Sequence, residues 1–220
     1  MTAQRPLARG LLVALEGIDG TGKSTQARRL AGLLAEQGYA VTLLREPTMS
    51  PWGRRIREAA AAGDGVLAPL QQLDLFLLDR RYDVAAHIRP ALAARQLVLM
   101  DRYYFSTIAY QGALGIDPED IRRLNEAFAP VPDLVLLLLI PPAQALERIH
   151  QARGQADNVF EREDYLTKVD RIYRSLIGPR VHCVDAGQPI EVVTAVMQQR
   201  IQELISTHRL TAPSPAREMG

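Results

Sequence analysis

The sequence predicts an α/β fold, a five-stranded parallel sheet with helices on both faces. Three observations predict it. Continuous apolar runs bounded by turn residues recur at Leu11–Leu15, Ala40–Leu44, Leu97–Met100, Leu134–Ile140 and Val181–Val184. Segments of helical spacing separate them, and strands buried on both faces that alternate with helices imply parallel pairing. The first run feeds directly into Gly17-Ile18-Asp19-Gly20-Thr21-Gly22-Lys23-Ser24-Thr25, which fits G-x-x-x-x-G-K-[ST], the phosphate-binding loop between a strand and a helix.

The helices follow from spacing and punctuation. Ser24–Gln37 carries apolar residues at helical spacing and stops at Gly38. Trp52–Ala62 has Pro51 ahead and Gly63 behind, residues that suit a helix start and a helix end. Leu70–Arg95 reads as a long helix that Pro90 kinks or splits. Phe105–Ala113, Pro118–Ala129, Ala143–Arg153, Arg162–Leu176 and Ile190–Arg209 complete the set. No repeat and no linker divides the chain, so a single domain over 1–210 is expected. Residues 211–220, rich in Pro, Ser and Ala, are expected to form a loose tail.

Composition narrows the class. Of 220 residues, 47% are hydrophobic and 23% charged, which allows a sizeable core and argues against global disorder. The net charge of +1 argues against general polyanion binding, so no nucleic-acid partner is expected. Cys183 is the one cysteine, which excludes an internal disulfide and fits a reducing compartment. Met1–Arg9 has no signal-peptide core, and Leu134–Ile140 is far too short to span a bilayer. A soluble cytoplasmic protein without a membrane partner is the expectation.

Each residue type in the phosphate loop has a physical task. Gly17, Gly20 and Gly22 let the backbone curl so that successive N–H groups point into one anion-sized hollow, lined also by Asp19, Thr21 and Thr25. The helix that opens at Gly22 adds its positive end. Lys23 puts a mobile cation against the β- and γ-phosphates, and the Ser24 hydroxyl suits Mg²⁺. Of the 26 basic residues, only Lys23 and Lys168 are lysines. A chain that otherwise uses arginine keeps lysine where a compact ammonium suits the site better than a planar guanidinium. The loop reads as a nucleoside-triphosphate site.

Ligands in such folds sit beyond the carboxyl ends of the strands. The second strand delivers Arg45-Glu46-Pro47, and the third delivers Asp101-Arg102-Tyr103. Asp101 fits the acid that holds Mg²⁺ beside a phosphate loop, with a structural cap as the alternative. Arg102 offers a planar fork for a phosphate, or a salt bridge to Asp101 or Glu46. After the fourth strand, Arg148 and Arg153 precede Gly154-Gln155-Ala156-Asp157-Asn158. That composition suits a lid over about 148–162 whose arginines close on a transferring phosphoryl group, and equally a charged solvated helix face.

Taken together these residues resemble the thymidylate kinases, the nucleoside-monophosphate kinases that convert dTMP to dTDP. The resemblance runs from about Leu12 to Leu204. It rests on Glu16 to Gln26, on Arg45-Glu46-Pro47-Thr48 and on Asp185 to Glu191. Its most specific segment is D-R-Y-x-x-S-x-x-A-Y-Q-G, from Asp101 to Gly112.

The resemblance implies Mg²⁺ as cofactor, ATP as co-substrate, dTMP as acceptor and a homodimer. It also implies roles. Lys23, Ser24 and the loop backbone would hold the ATP phosphates, with Asp101 at the metal. Asp19 would reach the deoxyribose 3′-hydroxyl, and Arg102 would grip the dTMP phosphate beside Glu46. Phe76 would stack on thymine, and Arg80, one helical turn on, would hydrogen-bond its edge; from its spacing alone Phe76 reads as core. Ser106, Tyr110 and Gln111 would shape the pocket, and the Asp185–Pro189 turn would lie near adenine. Members take their catalytic arginine from the loop or from the lid. Here Gly20 follows Asp19, so Arg153 or Arg148 is the expected donor, with Arg162 a further option. The lid departs from the family's Asp-Arg-Phe-Glu: this chain has Asp157-Asn158-Val159-Phe160-Glu161. Two other functions fit parts of the pattern. A deoxyribonucleoside kinase would need a general base, for which Glu46 is available. A regulatory P-loop ATPase would have no use for Phe76, Arg80, Ser106 and Gln111.

Overall fold

Five strands, β1 (Leu11–Glu16), β2 (Val41–Arg45), β3 (Leu97–Asp101), β4 (Leu134–Leu139) and β5 (Val181–Asp185), form one parallel sheet in the order β2-β3-β1-β4-β5. The structure, a computed structural model, describes residues 5–62, 66–153 and 159–208, without the side chains of 152, 153 and 159–162. The expected tail over 211–220 therefore lies outside the described residues, as do Gly63 and Gly154 to Asn158.

Every residue of β1 and β3 is buried, as a strand flanked by two others and covered by helices requires. The edge strands β2 and β5 are partly exposed, so burial on both faces holds for the interior strands only. In the β1–β3 register Leu15 lies opposite Asp101, and in β1–β4 Glu16 lies opposite Leu137. Hence the turns that follow β1, β3 and β4 leave the same end of the sheet.

Helix α1 (Lys23–Glu36) begins at the phosphate loop and ends ahead of Gly38, whose φ of 92° only glycine adopts readily. Its residues Ala27, Leu30 and Leu34 recur at helical spacing and are buried, against the β2–β3 side of the sheet. Then come α2 (Pro51–Ala62) and α3 (Pro69–Asp83), which runs through a π turn at Val84–Ile88 into α4 (Arg89–Ala93). Pro90 has no N–H to give a preceding carbonyl; the chain neither splits nor stops there, but widens by one π turn just ahead of it. The remaining helices are α5 (Tyr104–Ala113), α6 (Pro118–Glu126), α7 (Pro142–Arg153), α8 (Val159–Ser175) and α9 (Ile190–Thr207). Against the sequence expectation, α6 stops three residues early, and α8 begins three residues early.

The α2–α3 pair is fastened by one buried carboxylate. Asp79 on α3 accepts from the Thr48 N–H (2.8 Å), the Thr48 hydroxyl (2.6 Å) and the Ser50 hydroxyl (2.6 Å). Gly53 on α2 packs into the same knot: a Cβ there would lie 2.1 Å from the Thr48 carbonyl oxygen and 2.7 Å from Asp79 Oδ1. Neither neighbour is free to move. Gly53→Ala is therefore expected to destabilise the fold by about 1–3 kcal/mol, although alanine is the better helix former. Urea unfolding of the variant checks this, and an unchanged midpoint would contradict it.

Candidate active site

The loop after β1 adopts the conformation its glycines permit. Gly17, Gly20 and Gly22 all have positive φ (135°, 85° and 88°). Two of them also sit where no side chain fits: a Cβ at Gly17 would lie 2.3 Å from the Leu138 carbonyl oxygen, and one at Gly20 2.4 Å from that of Ala145. Thr21 closes the loop by donating to the Ile18 carbonyl (2.9 Å), and Thr25 lies exposed on the first turn of α1. That first turn leaves N–H groups without a helical acceptor, aimed into the loop.

Lys23 is buried and donates to the Ile18 carbonyl at 2.7 Å, so it rests on the loop backbone. Burial, and then the nearby Arg102, pull its ammonium down to about 7, against the opposing pull of Asp19 and Asp101. Ser24 donates to Asp101 Oδ2 at 2.5 Å, which brings the two expected metal ligands together. Both are hard oxygen donors. Among the described residues no cluster of three or more His, Cys, Asp or Glu could hold a metal by itself. A hydroxyl and a carboxylate beside a phosphate loop fit Mg²⁺, which keeps waters and takes further oxygens from phosphates.

Arg102 stands across from the loop. Its Nη2 donates to Asp19 Oδ1 (2.7 Å), its Nη1 to Ser106 Oγ (2.8 Å), and the guanidinium lies 5.2 Å over the Tyr110 ring. Neither salt bridge considered from the sequence forms; Asp101 binds Ser24 instead, and Glu46 faces away. Arg102 holds the Asp19 carboxyl well below the usual carboxylate range. The Asp19 N–H donates to the Tyr110 hydroxyl (3.1 Å), which donates back to Asp19 Oδ2 (3.3 Å). So Asp19, Arg102, Ser106 and Tyr110, spread over 92 positions of the chain, form one cluster.

This cluster opens into a cleft of about 430 Å³, bounded by α2, α3 and α5. Phe76, Ser106, Tyr110 and Gln111 line it as expected, with Thr107, Arg45 and Arg57 beside them. The Gln111 side-chain oxygen is buried and has no hydrogen-bond partner among the described residues, an acceptor on the cleft wall that calls for a donor.

Glu46 and Arg80 do not line the cleft. Arg80 is almost wholly buried one layer behind it, where Nε donates to Glu46 (2.9 Å), Nη1 to Asn125 (2.5 Å) and Nη2 to Glu46 and to Thr107 (3.1 Å). Burial pushes the Glu46 carboxyl up to about 8 against the pull of Arg80. The direct contacts of both residues are thus with the scaffold, and Thr107 carries Arg80's influence to the cleft wall. The resemblance implies that Arg80 hydrogen-bonds the thymine edge; here Glu46, Asn125 and Thr107 claim its N–H donors, which its spacing from Phe76 cannot foresee.

On the other side of the loop, Arg148 on α7 donates to the Ala186 carbonyl (3.0 Å), within the turn held by Asp185, which accepts from the Gly187 N–H (2.9 Å) and the Gln188 amide (2.9 Å). Arg153 ends α7; its side chain, that of Arg162 and the middle of the expected lid lie outside the described residues. No local pattern in the sequence marks a role for Glu16, Asp79, Arg57 or Tyr173. Their signal is tertiary; only the position of Glu16 at a strand end hinted at one.

Comparison with known proteins bears on the same site. The sequence profile of the family described as thymidylate kinase matches residues 15–196. A thymidylate kinase of Xanthomonas campestris is 45% identical over 201 residues, covering 88% of this chain and 87% of that protein. A probable thymidylate kinase of Archaeoglobus fulgidus is 43% identical over 196 residues, covering 89% and 97%. A thymidylate kinase of Desulfotalea psychrophila matches at the same identity and length, covering 89% and 96%.

The state of Lys23 leads to a pH prediction. Free, the group is half-protonated near its value of about 7; beside a bound triphosphate the charged form is favoured and its pKa rises. Binding of a nucleoside triphosphate therefore takes up a proton above pH 7. The affinity should fall as pH rises from 7 to 9, by at most about tenfold per unit. Calorimetry in buffers of different ionisation heat reads the proton uptake. No uptake, or uptake that persists in Lys23→Met, would contradict the assignment.

Proposed function

The chain belongs to the thymidylate kinase family, and from that we propose that it transfers the γ-phosphoryl group of ATP to dTMP, giving dTDP and ADP. The observation that carries the site assignment is Arg102: one guanidinium, its two edges on Asp19 and Ser106, at the junction of the phosphate loop and the cleft.

The roles we assign are those the family implies, and the geometry supports them. The loop backbone, Lys23 and the first turn of α1 hold the ATP phosphates. Ser24 and Asp101 would hold Mg²⁺, whose charge would offset that of the phosphate oxygens. Arg102 grips the dTMP phosphate bidentately, and Asp19 accepts from the deoxyribose 3′-hydroxyl. Phe76 stacks on the base, while the Gln111 oxygen takes an N–H from its edge. Arg80, held by Glu46 and Asn125, stiffens that wall. An ionised phosphate oxygen is itself the nucleophile, so positioning and charge neutralisation carry the catalysis.

The same point weighs against a deoxyribonucleoside kinase. A 5′-hydroxyl acceptor needs a general base, and Glu46, the candidate for it, is committed to Arg80 outside the cleft. A regulatory ATPase leaves the lined acceptor cleft unexplained. For the transition-state arginine we choose Arg153, because Arg148 is engaged by the Ala186 carbonyl. A homodimer in the cytoplasm belongs to the same proposal. Leu78 and Tyr82 on α3 are exposed apolar side chains that a second copy could cover, and no helix among the described residues is long and apolar enough to cross a membrane.

Two experiments test this reading. ADP release with Mg-ATP and a panel of dTMP, dUMP, UMP, CMP, AMP, thymidine and no acceptor is expected to favour dTMP. Turnover with thymidine alone, or without any acceptor, would overturn it. Arg153→Ala is expected to lower kcat by about 10³ or more, whereas a change of a few-fold would return the role to Arg148 or Arg162.

A further inference from the structure

Arg102 is the one residue of the acceptor-phosphate site whose backbone is strained. Its φ is 74°, in the left-handed region that a long side chain seldom enters. Such a conformation persists only where its surroundings over-determine it. On its N-terminal side the Arg102 N–H donates to the Leu15 carbonyl (3.1 Å), an extension of the β1–β3 ladder. On its C-terminal side the next N–H, that of Tyr103, donates to Glu16 Oε1 at 2.7 Å. Glu16 is the last residue of β1 and is completely buried.

The second oxygen of Glu16 reaches the other end of the same arginine. Oε2 accepts from Ser106 Oγ (2.6 Å) and from the Tyr173 hydroxyl (3.0 Å), which lie 2.8 Å from each other. Because its proton is directed at Glu16, Ser106 Oγ turns a lone pair to Arg102 Nη1, 2.8 Å away. One carboxylate thus fixes the peptide that follows Arg102 and the acceptor that orients its guanidinium. A neutral acid in its place would compete for one of these donors instead of accepting from all three. Burial raises the Glu16 carboxyl, while these three donors and Arg102 lower it.

The geometry points to Glu16 as a positioning residue that pre-orients Arg102, through Tyr103 and Ser106, for the phosphate group of the nucleotide acceptor. This inference rests on the assignment of Arg102 to the acceptor phosphate. Glu16 does not touch the acceptor. Its effect is confined to ligands that carry a phosphate for Arg102 to hold, which a general role in folding would not produce.

The test compares two ligands that differ by that phosphate alone. Binding of dTMP and of thymidine to the full chain is measured by calorimetry for the unsubstituted protein, Glu16→Gln and Arg102→Ala. Glu16→Gln keeps an oxygen for the Tyr103 N–H and loses the charge that draws the Ser106 proton. It is expected to weaken dTMP by about tenfold and to leave thymidine within about twofold. In an Arg102→Ala background it is expected to add nothing further for dTMP, since the group it orients is gone. An equal loss for both ligands, no loss for either, or additive losses in the double variant would overturn the proposal. If Arg102→Ala itself does not weaken dTMP selectively, the underlying assignment of Arg102 fails, and the inference with it. Selective loss in Arg102→Ala without one in Glu16→Gln would refute Glu16 alone. Should Glu16→Gln not fold, Tyr173→Phe, which removes one of the donors that hold Glu16 Oε2, takes its place under the same criteria.

Discussion

Leu15 lies opposite Asp101 in the β1–β3 register, and from that pairing the two halves of the site diverge side by side. The turn after β1 becomes the phosphate loop, and the turn after β3 presents Arg102. A slip of one residue in a strand moves each of its side chains to the opposite face. Here it would carry Asp101 away from Ser24 and Glu16 away from Tyr103. The register is secured by burial, since every residue of both strands is inside and any slip would leave Asp101 or Glu16 in the core without partners.

The site gathers charge that water would hold at less cost. Glu16, Lys23, Glu46, Arg80 and Asp101 are all buried. Buried ion pairs often contribute little net stability, because desolvation consumes the Coulomb gain. What they do provide is a defined geometry with few alternatives. The cations illustrate this: Lys23 is held on the Ile18 carbonyl and Arg102 on Asp19. On the proposed assignment, the phosphates meet cations that are already in place, and little side-chain order remains to be created on binding.

Much of this was legible in the sequence because it is local. The phosphate loop, the five strands and the strand-end residues Asp101 and Arg102 follow from spacing and punctuation, and the structure brings Ser24 to Asp101 and Arg102 to Ser106 and Tyr110. What escaped depends on distant partners. Tyr173 meets Glu16 across 157 positions, and no local pattern marks either residue for the other. Arg80 sits at the right helical spacing from Phe76, yet three buried acceptors from three other segments claim its donors. Pro90 signalled a kink or a break, and the chain passes it through a π turn between α3 and α4.

The division of labour between strand ends and helices has a consequence for how such a site is adjusted. In the proposed assignment, the groups that handle phosphate charge come from the turns after β1 and β3, whose positions the sheet dictates, and those that face the base come from α3 and α5. The two sets meet at Ser106, which sits on the first helical turn after Arg102 and answers to Glu16 on the sheet side. On the α3 face, exchange of Phe76 for an apolar residue of similar volume costs little packing, so recognition of the base can vary without disturbing the phosphate geometry. A change at Ser106 or Glu16 has no such freedom, because the same atoms orient the arginine and close the sheet end. The residues that bound this site most tightly are therefore those that contact the scaffold and the phosphate machinery together.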